Sequence, residues 1–248
     1  MPSLSFHNSK VAISSVNTIL LLLIGVVVSF TSCDSSPSES SHLKSRSSCG
    51  TNLHEIVIAL HKYESVNGTL PPAFTVDTDG NRLHSWRSLI LPYLDKNKLY
   101  EMIDFSKPWN HSSNKVARDK VVDVYVCPNA SLEGGKTTYL GVYGTDSCFT
   151  GNVARKFSEI TDGLNNTASV CDVHFENAVH WMSPYDLSIE SILDRDLVPQ
   201  SNHSEYLGFG FCDGSVRWVS LSLERNEIRA LLTIAGGEEV NLERLKGR

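Results

Sequence analysis

The apolar residues after position 51 recur with the period of an α-helix. The positions that share one face are Leu53, Ile56, Val57 and Leu60. Because they fall at i, i+3, i+4 and i+7, the pattern predicts an amphipathic helix over roughly 51–66. Asn67 and Gly68 end the pattern, and we expect the apolar face to pack on the rest of the domain.

Further along the chain, apolar runs predict strands. The runs lie at 121–126, 138–142 and 168–173, and clusters of Gly, Asn and Asp separate them. A hairpin at 207–220 adds two more strands, so the pattern favours a mainly antiparallel sheet.

Asp213 and Gly214 predict the turn of this hairpin, since an Asp-Gly pair suits a two-residue type I′ connection. The opposed residues would then be Phe211 with Val216 and Phe209 with Trp218, all on one buried face. With this turn, Gly214→Val should destabilise the fold more than His203→Ala, because a β-branched residue is strained at positive φ.

Short helices complete the predicted domain. Apolar spacing predicts one over roughly 86–94, weakened by Pro92, another over 96–103, and a last one around 228–235. The fold class is therefore α+β, with an N-terminal helix packed on a mainly antiparallel β-sheet and additional short helices.

The first 33 residues have the features of an export signal. Lys10 precedes an apolar run at 19–28, which is short for a bilayer span and suits the core of a secretory signal. The segment Phe30-Thr-Ser-Cys33 follows, and small residues before a cysteine resemble a bacterial lipobox. We predict a signal peptide over 1–33 with lipidation at Cys33, and the alternatives are plain secretion and an uncleaved anchor.

Residues 34–48 are rich in serine and nearly free of apolar side chains, so they cannot contribute to a core. We predict that they form a linker between the membrane and a folded domain of residues 49–248. The predicted location is the cell envelope, with the membrane as a partner through the lipid anchor.

Charge and cysteine content limit the classes of binding partner and the cellular compartment that we expect. A net charge of −6, without long Lys/Arg runs, predicts no nucleic-acid partner. Six cysteines in an exported chain favour disulfides, and lipidation of Cys33 would leave five, so one must stay unpaired. The sequence alone does not assign their partners.

Candidate metal sites fail on spacing. His54 and His61 would lie on one helix face but about 10 Å apart, too far to share a zinc ion. Asp77, Asp79 and Asn81 are similar to the start of a calcium loop, but the glycine and glutamate that such a loop needs are missing. We expect no metal and no cofactor.

His203 and Asp213 are the residues that could form an acid–base pair. No nucleophile or oxyanion-hole motif accompanies them, so we expect structural roles, with Asp213 in the turn and His203 tying a loop to the sheet. Convergence of this pair with His84 and Arg87 on one cleft would instead indicate catalysis or ligand binding.

The spacing of His203, Asp213 and Gly214 resembles the H-X9-DG signature of a large bacterial family known as domain of unknown function 1559. Other segments are similar to family segments, in family order: 49–56, 59–63, 68–73, 84–94, 125–128, 160–163 and 231–237. The resemblance covers roughly Cys49 to the C-terminus and implies a pilin-like or pseudopilin-like α+β envelope protein. It also implies that Cys49 and Cys127, in the family's cysteine-bearing segments, pair first. Many relatives begin with a prepilin segment of the Gly-Phe-Thr-Leu-x-Glu type; no such motif occurs here, which argues against filament assembly through an N-terminal helix.

These features predict a membrane-tethered envelope protein that acts as a structural or interaction module and not as an enzyme. Its further partners would be other envelope proteins or copies of itself. The alternatives are a ligand-binding protein of the envelope and a hydrolase that uses His203 and Asp213.

Overall fold

The computed structural model describes residues 37–194, 201–238 and 240. The predicted signal peptide and Cys33 lie outside these residues. Helix α1 spans Pro37–Asn67, so it ends where the sequence predicts but begins inside the segment expected to be a linker. Serine costs a helix only about 0.5 kcal/mol per residue relative to alanine, so a helix fixed by its buried face can extend through such a segment.

The other helices are short. They are α2 (Trp86–Leu89), α3 (Asn97–Glu101), α4 (Lys115–Arg118), α5 (Ile189–Leu193) and α6 (Arg225–Ala230). Turns of 3-10 helix lie at Leu91–Leu94, Ser112–Asn114, Asp123–Tyr125, Phe157–Glu159 and Phe175–Asn177. Among the described helices, none combines the length and the hydrophobicity that a bilayer span requires.

The strands form a five-stranded sheet and two small pairs. They are β1 (Phe74–Val76), β2 (Arg82–Ser85), β3 (Lys136–Thr137), β4 (Tyr139–Tyr143), β5 (Ala168–Asp172), β6 (Val179–His180), β7 (Leu187–Ser188), β8 (Tyr206–Phe211) and β9 (Val216–Ser220). The larger sheet has the order β7-β4-β5-β8-β9, and within it only the β4–β7 pair is parallel. The prediction of an α+β fold with a mainly antiparallel sheet is confirmed.

Both faces of the five-stranded sheet are covered along its central strands. On one face lies the predicted apolar stripe of α1, formed by Leu53, Ile56, Val57 and Leu60. On the other face, residues of α5 and α6 pack with the sheet: Ile189, Ile192, Ile228, Phe209 and Phe211. Cover on both faces explains why β5 and most of β8 are fully buried.

The hairpin of β8 and β9 forms at the predicted place but with a different register. The opposed residues are Gly208 with Trp218, Phe209 with Arg217 and Gly210 with Val216. The turn contains three residues instead of two, because Phe211 N donates to Ser215 O at 2.8 Å and Gly214 N donates to Phe211 O at 3.0 Å. Gly214, at φ +89°, supplies the left-handed residue of this loop. The predicted single apolar face is therefore wrong: Trp218 packs on the α1 side and Phe211 on the opposite side.

Two other local predictions need correction. Residues 121–126 contain a 3-10 turn at Asp123–Tyr125 instead of a strand, with Tyr125 N donating to Val122 O at 2.8 Å. The Tyr125 hydroxyl donates to Arg87 O at 2.8 Å inside the core, which favours the tighter turn over an extended chain. The last helix lies earlier in the chain than predicted, since α6 spans Arg225–Ala230 and a turn follows. The helix predicted over 86–94 is interrupted, because α2 ends at Leu89 and a separate 3-10 turn at Leu91–Leu94 contains Pro92.

Candidate functional site

The core contains a cluster of four side chains that are able to bind metals or exchange protons. Cys49 comes from α1, Cys127 follows the 3-10 turn at Asp123–Tyr125, Asp172 ends β5, and His203 precedes β8. One donor atom from each lies within 4.8 Å of the others. Each of the four residues is at most 2% exposed.

His203 is paired with a buried carboxylate. Its Nε2 lies 2.9 Å from Asp172 Oδ2 and 3.4 Å from Cys127 Sγ. The other carboxylate oxygen of Asp172 accepts a hydrogen bond from Thr138 Oγ1 at 2.5 Å. The side chains of His203 and Asp172 have no exposed surface, so protein groups replace water around the carboxylate.

The charge of this pair follows from its contacts. Burial alone would lower the pKa of His203, but the bonds with Asp172 and Cys49 raise it to about 9. A protonated His203 beside the Asp172 carboxylate is a buried ion pair. Removal of either partner would leave an uncompensated charge in the core.

The two thiols of the cluster are in direct contact. Cys49 Sγ lies 2.6 Å from Cys127 Sγ. This hydrogen bond lowers the pKa of Cys49 to about 6 and raises that of Cys127. The thiolate is the form that enters thiol–disulfide exchange, so the pair is suited to oxidation.

The arrangement fits a disulfide better than a shared zinc ion. Two thiolate sulfurs at about 2.3 Å from one tetrahedral zinc ion lie roughly 3.7 Å from each other. This distance is longer than the one between the sulfurs of Cys49 and Cys127. The absence of a metal ion stays a prediction. Both cysteines are thiols in this structure, so the disulfide between them also stays a prediction.

His203 connects several elements of the fold. Its main-chain N–H donates to Ser201 Oγ at 3.0 Å, and the Asn129 side-chain nitrogen lies 3.2 Å from its Nδ1. The edge of its ring meets Trp218, with 4.5 Å between the ring centroids. Through these contacts and those with the two cysteines and Asp172, the imidazole joins α1, the loop after Cys127, β5 and β9.

Asp213 lies in the exposed turn and has a different partner. Its Oδ1 accepts from Ser215 N at 2.9 Å and from Ser215 Oγ at 2.6 Å. The carboxylate beside His203 is that of Asp172, so the structure does not form the His203–Asp213 acid–base pair. The next residue, Gly214, is linked to α1, because its carbonyl oxygen accepts from His54 Nδ1 at 3.0 Å.

His84 and Arg87 are buried in other networks. His84 Nε2 lies 2.7 Å from Lys107 O. Arg87 pairs with Asp186 at 2.6 Å and donates to Tyr185 O at 2.8 Å, so it belongs to a buried ion pair. These residues share no described bonding partner with the His203 cluster, and the convergence that would indicate a catalytic cleft is not seen among the described residues.

Two concave surfaces of the described chain lie elsewhere. One, of about 670 Å³, is lined by His61, Lys62, Glu64, Ser65, Val66, Tyr93, Phe157 and Leu164. The other, of about 280 Å³, is lined by residues 143–146, 150, 188–190 and 229. Neither contains a residue of the cluster.

Sequence reasoning missed Asp172 and Asn129. Asp172 is 31 residues from His203 along the chain, and only folding brings them together. A usable signal was nevertheless present, because Asp172 ends an apolar run, and a carboxylate at the end of a buried strand needs a partner.

The fold and the cluster define an α+β protein in which an N-terminal helix, a mainly antiparallel sheet and a buried histidine–carboxylate pair meet. The family described as "Protein of unknown function (DUF1559)" matches residues 46–189, more than half of the chain. The chain belongs to this family. No curated protein and no solved structure matches it.

Proposed function

We propose that this protein is an exported, lipid-anchored component of the cell envelope that acts as a non-catalytic structural or interaction module. The burial of His203 carries the non-catalytic part of the proposal. A general acid or base must reach its substrate, whereas the His203 side chain has no exposed surface and is occupied by Asp172 and Cys127.

The H-X9-DG motif can be explained by the structural roles of its residues. His203 joins α1, β5 and β9 at one end of β8, and Gly214 forms the turn at the other end with its carbonyl bonded to His54. Every group of the motif therefore has a partner within the fold. A hydrolase that uses His203 and Asp213 lacks this support, because the two side chains have separate partners.

The proposed location is supported by two features of the sequence. The apolar run at 19–28 and the lipobox-like residues before Cys33 are typical of bacterial lipoproteins. Contact between Cys49 and Cys127 is consistent with an oxidising compartment, where disulfides persist.

Fractionation of cells that produce the wild type and Cys33→Ala tests the anchor. We expect the wild type in the membrane fraction, released by detergent and not by salt, with an acyl mass on an N-terminal peptide that starts at Cys33. Cys33→Ala should lack this mass and leave the membrane fraction. Cys171→Ala is the matched control, because it removes another cysteine and should leave the anchor intact.

Equal distribution of wild type and Cys33→Ala, without an acyl mass on the wild type, would refute lipidation. The N-terminal mass then separates the alternatives. A cleaved, unmodified N-terminus means plain secretion, and an intact Met1 means an uncleaved anchor.

A further inference from the structure

A second pair of cysteines meets in the core, away from His203. Cys148 Sγ lies 3.1 Å from Cys212 Sγ, although 64 residues separate them along the chain. The two residues are 1% and 3% exposed. Sequence reasoning gave neither of them a partner.

Backbone bonds fix both members of this pair. Cys148 lies in the loop after β4, where Phe149 N donates to Val142 O at 3.3 Å. Cys212 directly follows β8, and its N–H donates to Thr167 O at 2.8 Å. Strand β5 lies between β4 and β8, so the two sulfurs meet at its beginning, where Cys148 Sγ is 3.6 Å from Ala168 O.

We propose that Cys148 and Cys212 form a disulfide in the mature protein. The sulfurs need to approach by only about 1 Å to reach bonding distance. With Cys49–Cys127 the domain would then contain two disulfides, and Cys171 would remain its one thiol. This inference rests on the proposed function in one respect, because export would supply the oxidising compartment. The contact between the two sulfurs does not depend on the lipid anchor.

The arrangement of the cysteines about the sheet selects these pairs. Cys49, Cys127, Cys148 and Cys212 all belong to the core on the α1 side. Cys171 belongs to the core on the opposite side, because neighbouring residues of a strand point to opposite faces. Strand β5 therefore separates Cys171 from the other four, and the two contacts leave no competing partner for either pair.

The reaction needs an oxidant with a disulfide of its own, such as an envelope thiol–disulfide oxidoreductase or oxidised glutathione. The thiolate of one cysteine attacks that disulfide and forms a mixed disulfide, which releases one thiol of the oxidant. The second cysteine then attacks its partner's sulfur and releases the other thiol. Two protein thiols are oxidised and one disulfide of the oxidant is reduced.

Tryptic mapping can resolve this pairing, because each cysteine of the domain lies in its own tryptic peptide. The five peptides are 47–62, 121–136, 137–155, 157–195 and 196–217. The reduced, denatured protein is refolded in a glutathione redox buffer, denatured with iodoacetamide present and digested without reductant. We expect peptide 137–155 linked to 196–217, peptide 47–62 linked to 121–136, and 157–195 recovered only as the alkylated peptide.

Two variants make the result specific. Cys171→Ala should leave both linked peptides unchanged. Cys148→Ala should free Cys212 for alkylation, preserve the other link and lower the melting temperature by on the order of 5–15 °C under oxidising conditions only. The same variant should match the reduced wild type when both are measured with reductant.

Recovery of Cys148 and Cys212 as separate alkylated peptides after refolding would overturn the proposal, as would a link from either of them to Cys171. The same mapping on protein isolated from cells without reductant tests export separately. Thiols in that sample, together with the predicted links after refolding, would count against export and not against the pairing.

Discussion

Replacement of Gly210 by alanine tests how closely α1 approaches the sheet. A Cβ atom at Gly210 would lie 2.5 Å from Val57 Cγ1, whereas carbon atoms in contact are normally about 3.5–4.0 Å apart. Val57 has little freedom to move away, since a β-branched residue in a helix keeps one strongly preferred χ1 rotamer. The helix would have to retreat from β8 by about 1 Å, with loss of packing along its stripe.

The expected cost follows from this overlap. Extra methyl groups in a well-packed core typically cost about 1–3 kcal/mol, and we expect Gly210→Ala to fall at the upper end because its Cβ would overlap Val57 Cγ1 at 2.5 Å. For a domain of this size, that loss lowers the melting temperature by roughly 5–10 °C. Gly50→Ala is the matched control. Its Cβ would meet Trp218 at an ordinary 3.8 Å inside α1, so it should stabilise the protein by about 0.5–1 kcal/mol.

Urea unfolding of both variants, of Val57→Ala and of the Gly210→Ala/Val57→Ala double variant provides the measurement. Val57→Ala removes the methyl group that overlaps, so the double variant should be more stable than the sum of the single effects by at least about 1 kcal/mol. The reasoning would be refuted if Gly210→Ala were as stable as the wild type, or if the two substitutions were additive.

Two further predictions concern histidines. His203→Ala should cost about 3–5 kcal/mol in urea unfolding, because it leaves the Asp172 carboxylate buried without its partner. Gly214→Val should cost about 1–3 kcal/mol from strain at φ +89°. The structure therefore reverses the order of the two losses of stability that the sequence predicts. A larger loss for Gly214→Val than for His203→Ala would contradict this. Burial lowers the pKa of His180 from 6.5 to about 4, so the folded protein keeps it neutral while the unfolded chain becomes protonated as the pH falls. Stability should therefore drop between about pH 7 and pH 5, by about 1 kcal/mol after allowance for the partial exposure of the ring. The difference in the free energy of unfolding between wild type and His180→Gln should shrink over the same pH range. An unchanged difference would argue against a neutral, buried His180.

The elements predicted correctly are those whose signal is local. The apolar stripe of α1 and the apolar run of β5 depend on residues a few positions apart, so periodicity identifies both. The start of α1 was missed because serine neither favours nor prevents a helix strongly, and Pro37 is a permitted first residue. The turn at 123–125 was missed because a short apolar run does not distinguish a strand from a buried turn.

The hairpin register and the cluster depend on information that short stretches do not contain. An Asp-Gly pair fits a two-residue turn and also a three-residue loop that ends in glycine, and the choice moves every side chain of β9 to the other face. In the observed register Trp218 and Val216 of β9 lie opposite Gly208 and Gly210 and pack in the core on the α1 side, so tertiary packing distinguishes the two turns where the local sequence does not. The partners Cys49 and Cys127 are 78 residues apart, and their contact was expected only from the family resemblance.

The spacing of the H-X9-DG motif follows from the geometry of one strand under one helix. His203 holds the chain beside Cys49, in the middle of α1. The six residues of β8 follow, and then the loop that ends at Gly214, whose carbonyl oxygen accepts a hydrogen bond from His54. Gly208 and Gly210 lie between these two anchors, on the face that α1 covers. A strand longer or shorter by one residue would turn its bulky side chains toward the helix, because side chains alternate between the faces of a sheet. The fixed distance between histidine and turn therefore keeps the glycines under α1.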